Sequence, residues 1–205
     1  LAVRSRWTLM FAIVFAALAL LVASSGYILS GGSGLQDFAR TAGYLQRLVD
    51  LGHHLFRYYV SGDCALDDRF LSEIKSRFAD QLRLKSIDFS GRFNDWVEAL
   101  HYGETLRHHE PYHFEQPSND LRVCAQFTRR VDLPVTLHIG SLVHGYEAAE
   151  RGSCTAFNVA CVSGGPTHVR RIFALAEAAG LKCLIGTDQE SDLGTAAQVH
   201  LGLAM

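Results

Sequence analysis

The sequence predicts an α/β protein built on a parallel β-sheet. Short apolar runs, bounded by Gly, Ser, Asn or Asp, alternate with longer segments in which apolar residues recur three or four positions apart. This alternation is typical of β-α-β units, whose strands are parallel. Polar residues also stand at the end of one predicted strand after another, where a β/α barrel builds its active site. These two features favour a barrel over an open, doubly wound sheet.

The first part of this pattern contains three predicted strands. They cover residues 27–30, 55–60 and 82–89, where apolar and aromatic side chains dominate. Helices are predicted at residues 38–51 and 67–78 from the spacing of their apolar side chains. Glycines mark the ends of these elements, since Gly52 follows the first helix and Gly62 and Gly91 follow the second and third strands.

The remaining chain repeats the pattern four times. Further strands are predicted at residues 112–115, 133–139, 156–162 and 182–185. Further helices are predicted at residues 94–107, 119–131, 143–151, 167–179 and 193–203. Pro134 suits the start of a strand, and Gly180 suits the end of a helix. With the strand at residues 27–30, the sequence predicts seven β/α units, which form one domain over residues 27–205.

Composition limits the classes of function. Of the 205 residues, 48% are hydrophobic and 20% are charged, and the formal net charge is -2. These values indicate a folded globular protein and exclude a disordered chain or a nucleic-acid-binding protein. The five cysteines are dispersed without metal-type spacing, which predicts reduced thiols. The length is below the about 250 residues of a complete β/α barrel.

The N-terminal segment differs from the rest of the chain. No charged residue occurs from Trp7 to Gln36, and residues 10–23 are almost entirely apolar. Residues 1–26 are predicted to form a hydrophobic helix. Residues 7–29 are long enough to anchor the protein in a membrane, but a signal peptide and a helix buried in a soluble fold remain alternatives. The chain is expected to be membrane-anchored if this helix spans a bilayer, and otherwise cytoplasmic.

Polar residues at the predicted strand ends are the candidates for chemistry. They are Arg57, Tyr59, Asp88, Glu115, His138 and Asp188. Asp88 and Glu115 end neighbouring strands, so their carboxylates would face the same barrel mouth and offer the oxygen ligands that Mg²⁺ prefers. The alternative is that each carboxylate caps the helix that follows it.

Several of these motifs together resemble a known family. The segment Phe114-Glu115-Gln116-Pro117, an aspartate that ends the preceding strand, Gly164-Gly165 before a helix, and the run ESDLGTAA at residues 190–197 occur in order. In this order they resemble the mandelate racemase/muconate lactonizing branch of the enolase superfamily. The resemblance implies a (β/α)7β barrel with an N-terminal capping domain. It also implies removal of the proton α to a carboxylate, with Mg²⁺ stabilising the enediolate that forms.

The resemblance implies roles for the metal ligands. Asp88 matches the first ligand and Glu115 the second, while His138 lies at or beside the position of a third, acidic ligand. An imidazole there departs from the oxygen ligands that Mg²⁺ prefers.

The resemblance also implies catalytic roles. Arg57 and Tyr59 replace a Lys-x-Lys pair, so Arg57 can neutralise a substrate carboxylate and Tyr59 stands where the base is expected. Tyr59 or His138 would take part in proton transfer. Asp188 lies near the position of a His-Asp dyad in some members. The sixth strand carries neither the Lys nor the Asp of the family, and Asn158 is its one amide or acid.

Two functions are therefore expected from the sequence. The first is an enzyme of this superfamily that acts on a small carboxylate such as an acid sugar, impaired by its altered bases. The second is a noncatalytic, membrane-tethered scaffold or accessory subunit of a membrane complex. Because the capping domain and the last strand are expected to be missing, an oligomer or a partner chain would cover the open barrel edges. The pairs His53-His54 and His108-His109 are expected at the surface or at helix ends, without metal partners.

Overall fold

Six parallel strands form one sheet, in which each strand lies beside its neighbours in the sequence. The computed structural model describes residues 38–161, 164–186 and 191–204. Its strands are β1 (Leu55–Tyr59), β2 (Arg83–Asp88), β3 (His113–Glu115), β4 (Val135–His138), β5 (Ala156–Val159) and β6 (Lys182–Ile185). Its helices are α1 (Phe38–Asp50), α2 (Cys64–Phe78), α3 (Trp96–Leu106), α4 (Leu121–Thr128), α5 (Leu142–Arg151), α6 (Gly165–Ala178) and α7 (Asp192–Ala204).

This strand order confirms the predicted class of fold. A doubly wound sheet reverses its strand order at a switch point, whereas a β/α barrel adds each strand beside the previous one. The order β1 to β6 has no reversal, so the structure is part of a β/α barrel. The strand predicted at residues 27–30 and the helix predicted at residues 1–26 lie outside the described residues.

The described helices do not include a membrane span. None of those between residues 38 and 204 is both long enough and apolar enough to cross a bilayer. Residues 7–29, which carry the predicted anchor, are not among the residues searched.

Helix starts are set by short polar side chains that cap free backbone amides. Asp63, Asp95, Asp120 and Ser141 cap α2, α3, α4 and α5 in turn. The cap also explains one difference from the prediction. Helix α2 begins at Cys64 rather than at residue 67, because the Asp63 carboxylate accepts a hydrogen bond from the backbone amide of Leu66 at 3.0 Å.

The two faces of the sheet differ in polarity. Tyr58, Ile87 and Phe114 are paired across β1, β2 and β3 and are fully buried. Phe114 packs against Phe127 of α4, with ring centroids 5.5 Å apart, which identifies this as the face covered by helices. Since side chains alternate along a strand, the residues between these positions point to the barrel interior. That interior face carries the polar side chains.

Candidate metal centre

Strand pairing places three candidate residues at one level. Tyr59 pairs with Asp88, and Asp88 pairs with Glu115, so these residues stand side by side at the carboxyl ends of β1, β2 and β3. Glu115 pairs in turn with Thr136 of β4, and His138 lies two residues further along that strand. His138 therefore faces the same side as the carboxylates, one step closer to the barrel mouth.

Glu115 is the most connected of these side chains. Its Oε1 accepts hydrogen bonds from Asn158 Nδ2 at 2.7 Å and Arg57 Nη1 at 3.2 Å, and lies 3.1 Å from His138 Nε2. Its Oε2 accepts a hydrogen bond from Ser86 Oγ at 3.1 Å. The carboxylate is buried, with 1% of its side chain exposed, and these contacts replace the hydration that burial removes.

Asp88 is equally buried but has fewer partners. Its Oδ1 accepts a hydrogen bond from the backbone amide of Ser90 at 2.8 Å, and its Oδ2 lies 3.7 Å from Arg57 Nη1. The same guanidinium nitrogen therefore faces both buried carboxylates. Arg57 also donates a hydrogen bond to the hydroxyl of Tyr59.

Neither strand-end carboxylate caps a helix. The helices that follow Asp88 and Glu115 are capped by Asp95 and Asp120, whose side chains accept hydrogen bonds from backbone amides in the first turns. Asp88 and Glu115 therefore do not act as helix caps, which was the alternative expected from the sequence.

The surroundings shift the pKa values of the two carboxyls in opposite directions. Burial, together with repulsion by Glu115, raises the pKa of Asp88 to about 6. Burial also acts to raise the pKa of Glu115, but the hydrogen bond with His138 and the charge of Arg57 outweigh it and lower that pKa to about 2. The hydrogen bond to Glu115 raises the pKa of His138. Burial raises the pKa of Tyr59.

Replacing Asp88 by asparagine should stabilise the metal-free protein near neutral pH. The pKa of Asp88 in the folded protein, about 6, exceeds its ordinary value of 3.8. Folding therefore favours the protonated form of Asp88. The stability that this preference contributes is lost as the pH rises from 3.8 to about 6. Asparagine carries no charge to bury. We expect Asp88→Asn to raise the free energy of unfolding by about 1–3 kcal/mol at about pH 7.5, and by much less at about pH 4.

Urea denaturation in the presence of a chelator measures this effect. The exposed Glu150 provides a control, because Glu150→Gln removes a carboxylate outside the centre and should leave the stability unchanged. An Asp88→Asn variant that is no more stable than the parent near neutral pH would contradict the expectation.

The structure brings most of the candidate residues together. Ligand atoms of Asp88, Glu115 and His138 all lie within 4.8 Å of one another. Arg57 and Tyr59 lie beside these residues. Together with Asp88 and His138, they line an open cleft of about 480 Å³. Asp188 falls among residues 187–190, outside the described residues.

Three further side chains contribute to the centre and were not predicted from the sequence as parts of it. Ser86 lies two residues before Asp88 on β2, so strand periodicity alone could have placed it on the interior face. Asn158 departs from the family pattern, and its amide donates a hydrogen bond to Glu115. Gln116 also contributes, since its side-chain oxygen accepts a hydrogen bond from the backbone amide of His138 at 2.8 Å.

The donor set fits a divalent cation. Asp88 and Glu115 offer carboxylate oxygens, and the imidazole of His138 is a ligand that transition metals accept more readily than Mg²⁺. Asn158 Oδ1 is buried and has no hydrogen-bond partner among the described residues. Arg57 offsets part of the negative charge, which lowers the attraction for a cation without removing a ligand.

Comparisons with known proteins identify a family to which the chain is similar. A family model described as enolase C-terminal domain-like matches residues 40–205. Muconate cycloisomerase 1 of Rhodococcus opacus is 32% identical over 123 residues, which are 58% of this chain and 33% of that protein.

Solved structures share the fold. A muconate cycloisomerase from Pseudomonas fluorescens superimposes with a TM-score of 0.73 at 25% identity, covering 82% of this chain and 48% of that one. A dipeptide epimerase from Enterococcus faecalis V583, complexed with Mg and the dipeptide L-Leu-L-Tyr, superimposes with a TM-score of 0.71 at 21% identity, covering 78% of this chain and 47% of that one.

The chain spans about a third of the curated relative and about half of the solved structures. The matched region nevertheless includes the six described strands and every described residue of the candidate centre. The predicted resemblance is therefore confirmed, and the chain belongs to the enolase superfamily, in its mandelate racemase/muconate lactonizing branch.

Proposed function

We propose that this chain forms the barrel part of an enzyme that removes the proton α to a carboxylate with the help of a bound Mg²⁺. The observation that supports this most is the placement of Asp88, Glu115 and His138, whose ligand atoms lie within 4.8 Å of one another at the carboxyl ends of neighbouring strands. This is the end of a β/α barrel at which active sites form.

Asp88, Glu115 and His138 would hold the cation. When bound, Mg²⁺ supplies positive charge that stabilises the enediolate formed when the α proton leaves. Ser86 and Asn158 hold the Glu115 side chain in place by donating hydrogen bonds to its two oxygens. These contacts keep the carboxylate oriented without requiring it to reorganise when a cation binds.

Arg57 would bind the substrate carboxylate. Its side chain is 26% exposed, so the guanidinium reaches both the buried carboxylates and the open cleft. With a divalent cation held by Asp88 and Glu115, the guanidinium would be free to pair with an incoming anion. An arginine suits this role because its planar group binds a carboxylate through two hydrogen bonds and stays charged.

Proton transfer is assigned to Tyr59 and Asp188. Burial raises the pKa of Tyr59, so its hydroxyl stays protonated near neutral pH and acts as a donor rather than as a base. Asp188 is the one predicted catalytic carboxylate that is not assigned to the cation, and we propose it as the proton acceptor. With His138 bound to the cation, its nitrogen is not available as a base.

The proposed substrates are small carboxylates. The relatives are named as muconate cycloisomerases and a dipeptide epimerase. Muconate and dipeptides are therefore the first compounds to test, together with the acid sugars that the sequence resemblance implies.

Calorimetric titration of the full chain with MgCl₂ tests the cation. We expect binding by the parent and by the control Glu150→Gln, and a loss of affinity of at least tenfold in Asp88→Asn. Absence of binding, or equal affinity in all three proteins, would refute the proposed centre.

Exchange in D₂O tests the chemistry. Dipeptides, acid sugars and muconolactone are incubated with the protein and Mg²⁺, and loss of the α-proton signal is followed by NMR. Muconolactone replaces muconate because the α carbons of muconate carry only vinylic protons. Exchange that requires Mg²⁺ and is at least a hundredfold slower in Tyr59→Phe supports the proposed roles.

A noncatalytic function is the second candidate, and the position of Arg57 favours it. Its Nη1 lies 3.2 Å from Glu115 and 3.7 Å from Asp88, so one side chain already balances charges that a cation would balance. Such a descendant would act as a scaffold or as a subunit of a membrane complex, with an oligomer or partner chain along the barrel edges. Mg²⁺ affinity that is weak in the parent and rises in Arg57→Met, with no proton exchange, would favour this candidate.

A further inference from the structure

A second cluster of metal-binding side chains lies on the helical layer, away from the strand ends. It comprises Asp68 of α2 and the adjacent residues His108 and His109, which belong to a short 3-10 turn after α3. Asp68 Oδ1 lies 2.8 Å from His109 Nε2 and 3.2 Å from His108 Nε2. The sequence did not predict this grouping, since it placed both histidines at a helix end without a metal partner.

The hydrogen bonding of His108 directs one of its ring nitrogens at Asp68. Its Nδ1 lies 2.9 Å from the backbone carbonyl oxygen of Thr105, which can only accept, so Nδ1 carries a proton. In the neutral imidazole, Nε2 then carries no proton and offers a lone pair. This Nε2 lies 3.2 Å from the carboxylate oxygen Oδ1 of Asp68. A cation placed between these two atoms would accept electron pairs from both.

His109 is prepared to act as a ligand. Its side chain is buried, with 3% of it exposed. Its Nε2 faces the same Asp68 oxygen, while its Nδ1 is buried without a hydrogen-bond partner among the described residues. A metal ion would bind at Nε2, the ring nitrogen that lies beside Asp68.

The distances suit a small tetrahedral ion. With Zn–N and Zn–O bonds of about 2.0–2.2 Å, neighbouring ligand atoms of a tetrahedron lie roughly 3.3–3.6 Å apart. The separations from Asp68 Oδ1, 2.8 and 3.2 Å, need only a small expansion to reach this range. Two nitrogens and one carboxylate oxygen are donors typical of zinc rather than of Mg²⁺.

The surrounding charges leave Asp68 available to a cation. Lys75, two turns further along α2, bonds Glu110 Oε2 at 2.9 Å and the backbone oxygen of His108 at 3.3 Å. Its ammonium group is thus engaged with the turn that carries the histidines and holds that turn against α2. The imidazole of His108 is 58% exposed, which leaves a fourth ligand position open to water.

We propose that Asp68, His108 and His109 form a zinc-binding site that links helix α2 to the turn between α3 and β3. Three protein ligands and one water complete a tetrahedral coordination. The site does not depend on the proposed catalytic function, because it shares no residue with the centre at the strand ends. Its role is to hold α2 and this turn together, since a bound metal ion stabilises the folded state that brings its ligands together.

Titration of the full chain with Zn²⁺ and Co²⁺ tests the site, and visible absorption of bound Co²⁺ reports tetrahedral coordination. The measurements are made in the Asp88→Asn background, which weakens the other centre. We expect one tight site, and an affinity reduced at least tenfold by His108→Gln, a change at an exposed position that leaves the core intact. Asp68→Asn should have the same effect.

The control is His101→Gln, which removes another exposed histidine of α3 and should leave the affinity unchanged. Thermal unfolding should also show a zinc-dependent rise in Tm in the background protein and in His101→Gln, but not in His108→Gln. Equal zinc affinity in His108→Gln and His101→Gln, or a Co²⁺ spectrum without tetrahedral absorption, would overturn the proposal.

Discussion

Replacing Asp67 by alanine is expected to lower the free energy of unfolding by about 3–5 kcal/mol. Asp67 is completely buried in α2. Its carboxylate accepts hydrogen bonds from Tyr58 Oη at 2.8 Å, from Ser61 N at 2.9 Å and from Ser61 Oγ at 2.6 Å, and a further bond from the hydroxyl of Tyr102. Alanine would leave two buried tyrosine hydroxyls and a backbone amide without their acceptor.

The Asp67 network also supports the candidate centre. Ser61 lies in the loop that follows β1, the strand that carries Arg57 and Tyr59. The backbone amide of Gly62 in the same loop donates to the hydroxyl of Tyr102 at 3.2 Å. Loss of the carboxylate should therefore loosen the end of β1 as well as destabilise the fold. We expect faster amide hydrogen exchange in this loop even where the variant remains folded.

Urea denaturation near neutral pH measures the stability. Asp63→Ala is the control, because it removes a neighbouring but exposed carboxylate that caps α2, and it should cost only about 0.5–2 kcal/mol. Tyr102→Phe should lie between parent and Asp67→Ala, since it removes one of the donors but keeps the aromatic ring. If Asp67→Ala costs no more than Asp63→Ala, the network does not carry the stability assigned to it.

Strand periodicity explains how much of the centre could be predicted. The positions of Asp88 and Glu115 at the ends of neighbouring strands follow from apolar runs and turn residues, which are local signals. The contacts of Asp67 do not follow in this way. Its partner Tyr102 lies 35 residues away on α3, and nothing local in the sequence indicates that the two helices meet at these side chains.

The histidine pair shows the same limit. His108 and His109 were visible as a pair in the sequence, but Asp68 is 41 residues from His109 and contacts it through the packing of α2 against the turn. The contact of Arg57 with both carboxylates could not be predicted from the sequence either. Its place on β1 predicts that Arg57 lies on the interior face, but its distance from Asp88 and Glu115 depends on the register of the sheet. Pairing across separate elements is set by packing, which a single sequence does not show.

Removing Glu115 should have the opposite effect on stability from removing the charge of Asp88. Folding lowers the pKa of Glu115 from 4.5 to about 2, so ionised Glu115 stabilises the fold above 4.5, and this contribution is lost as the pH falls towards about 2. Glu115→Ala leaves Arg57, His138 and Asn158 without a shared acceptor. We expect a cost of about 3–5 kcal/mol near neutral pH and a smaller one in acid.

A double-mutant cycle shows whether the two carboxylates act together. In the parent, repulsion by Glu115 contributes to the raised pKa of Asp88, so we expect Asp88→Asn to stabilise the metal-free protein. In the Glu115→Ala background that repulsion is gone, and Asp88 becomes the remaining buried carboxylate beside Arg57. We therefore expect Asp88→Asn to lose its stabilising effect there, or to become destabilising.

The cycle is measured by urea denaturation of the parent, both single variants and the double variant in a chelator. Glu115→Gln serves as a second background where the alanine variant is too unstable to give a full unfolding curve, because it removes the charge and keeps the side-chain volume. Effects that add to within about 0.5 kcal/mol would show that Asp88 and Glu115 act independently. A sign change would show that the stability lost at Asp88 arises from holding two like charges together, an arrangement that benefits the protein only when a cation binds both.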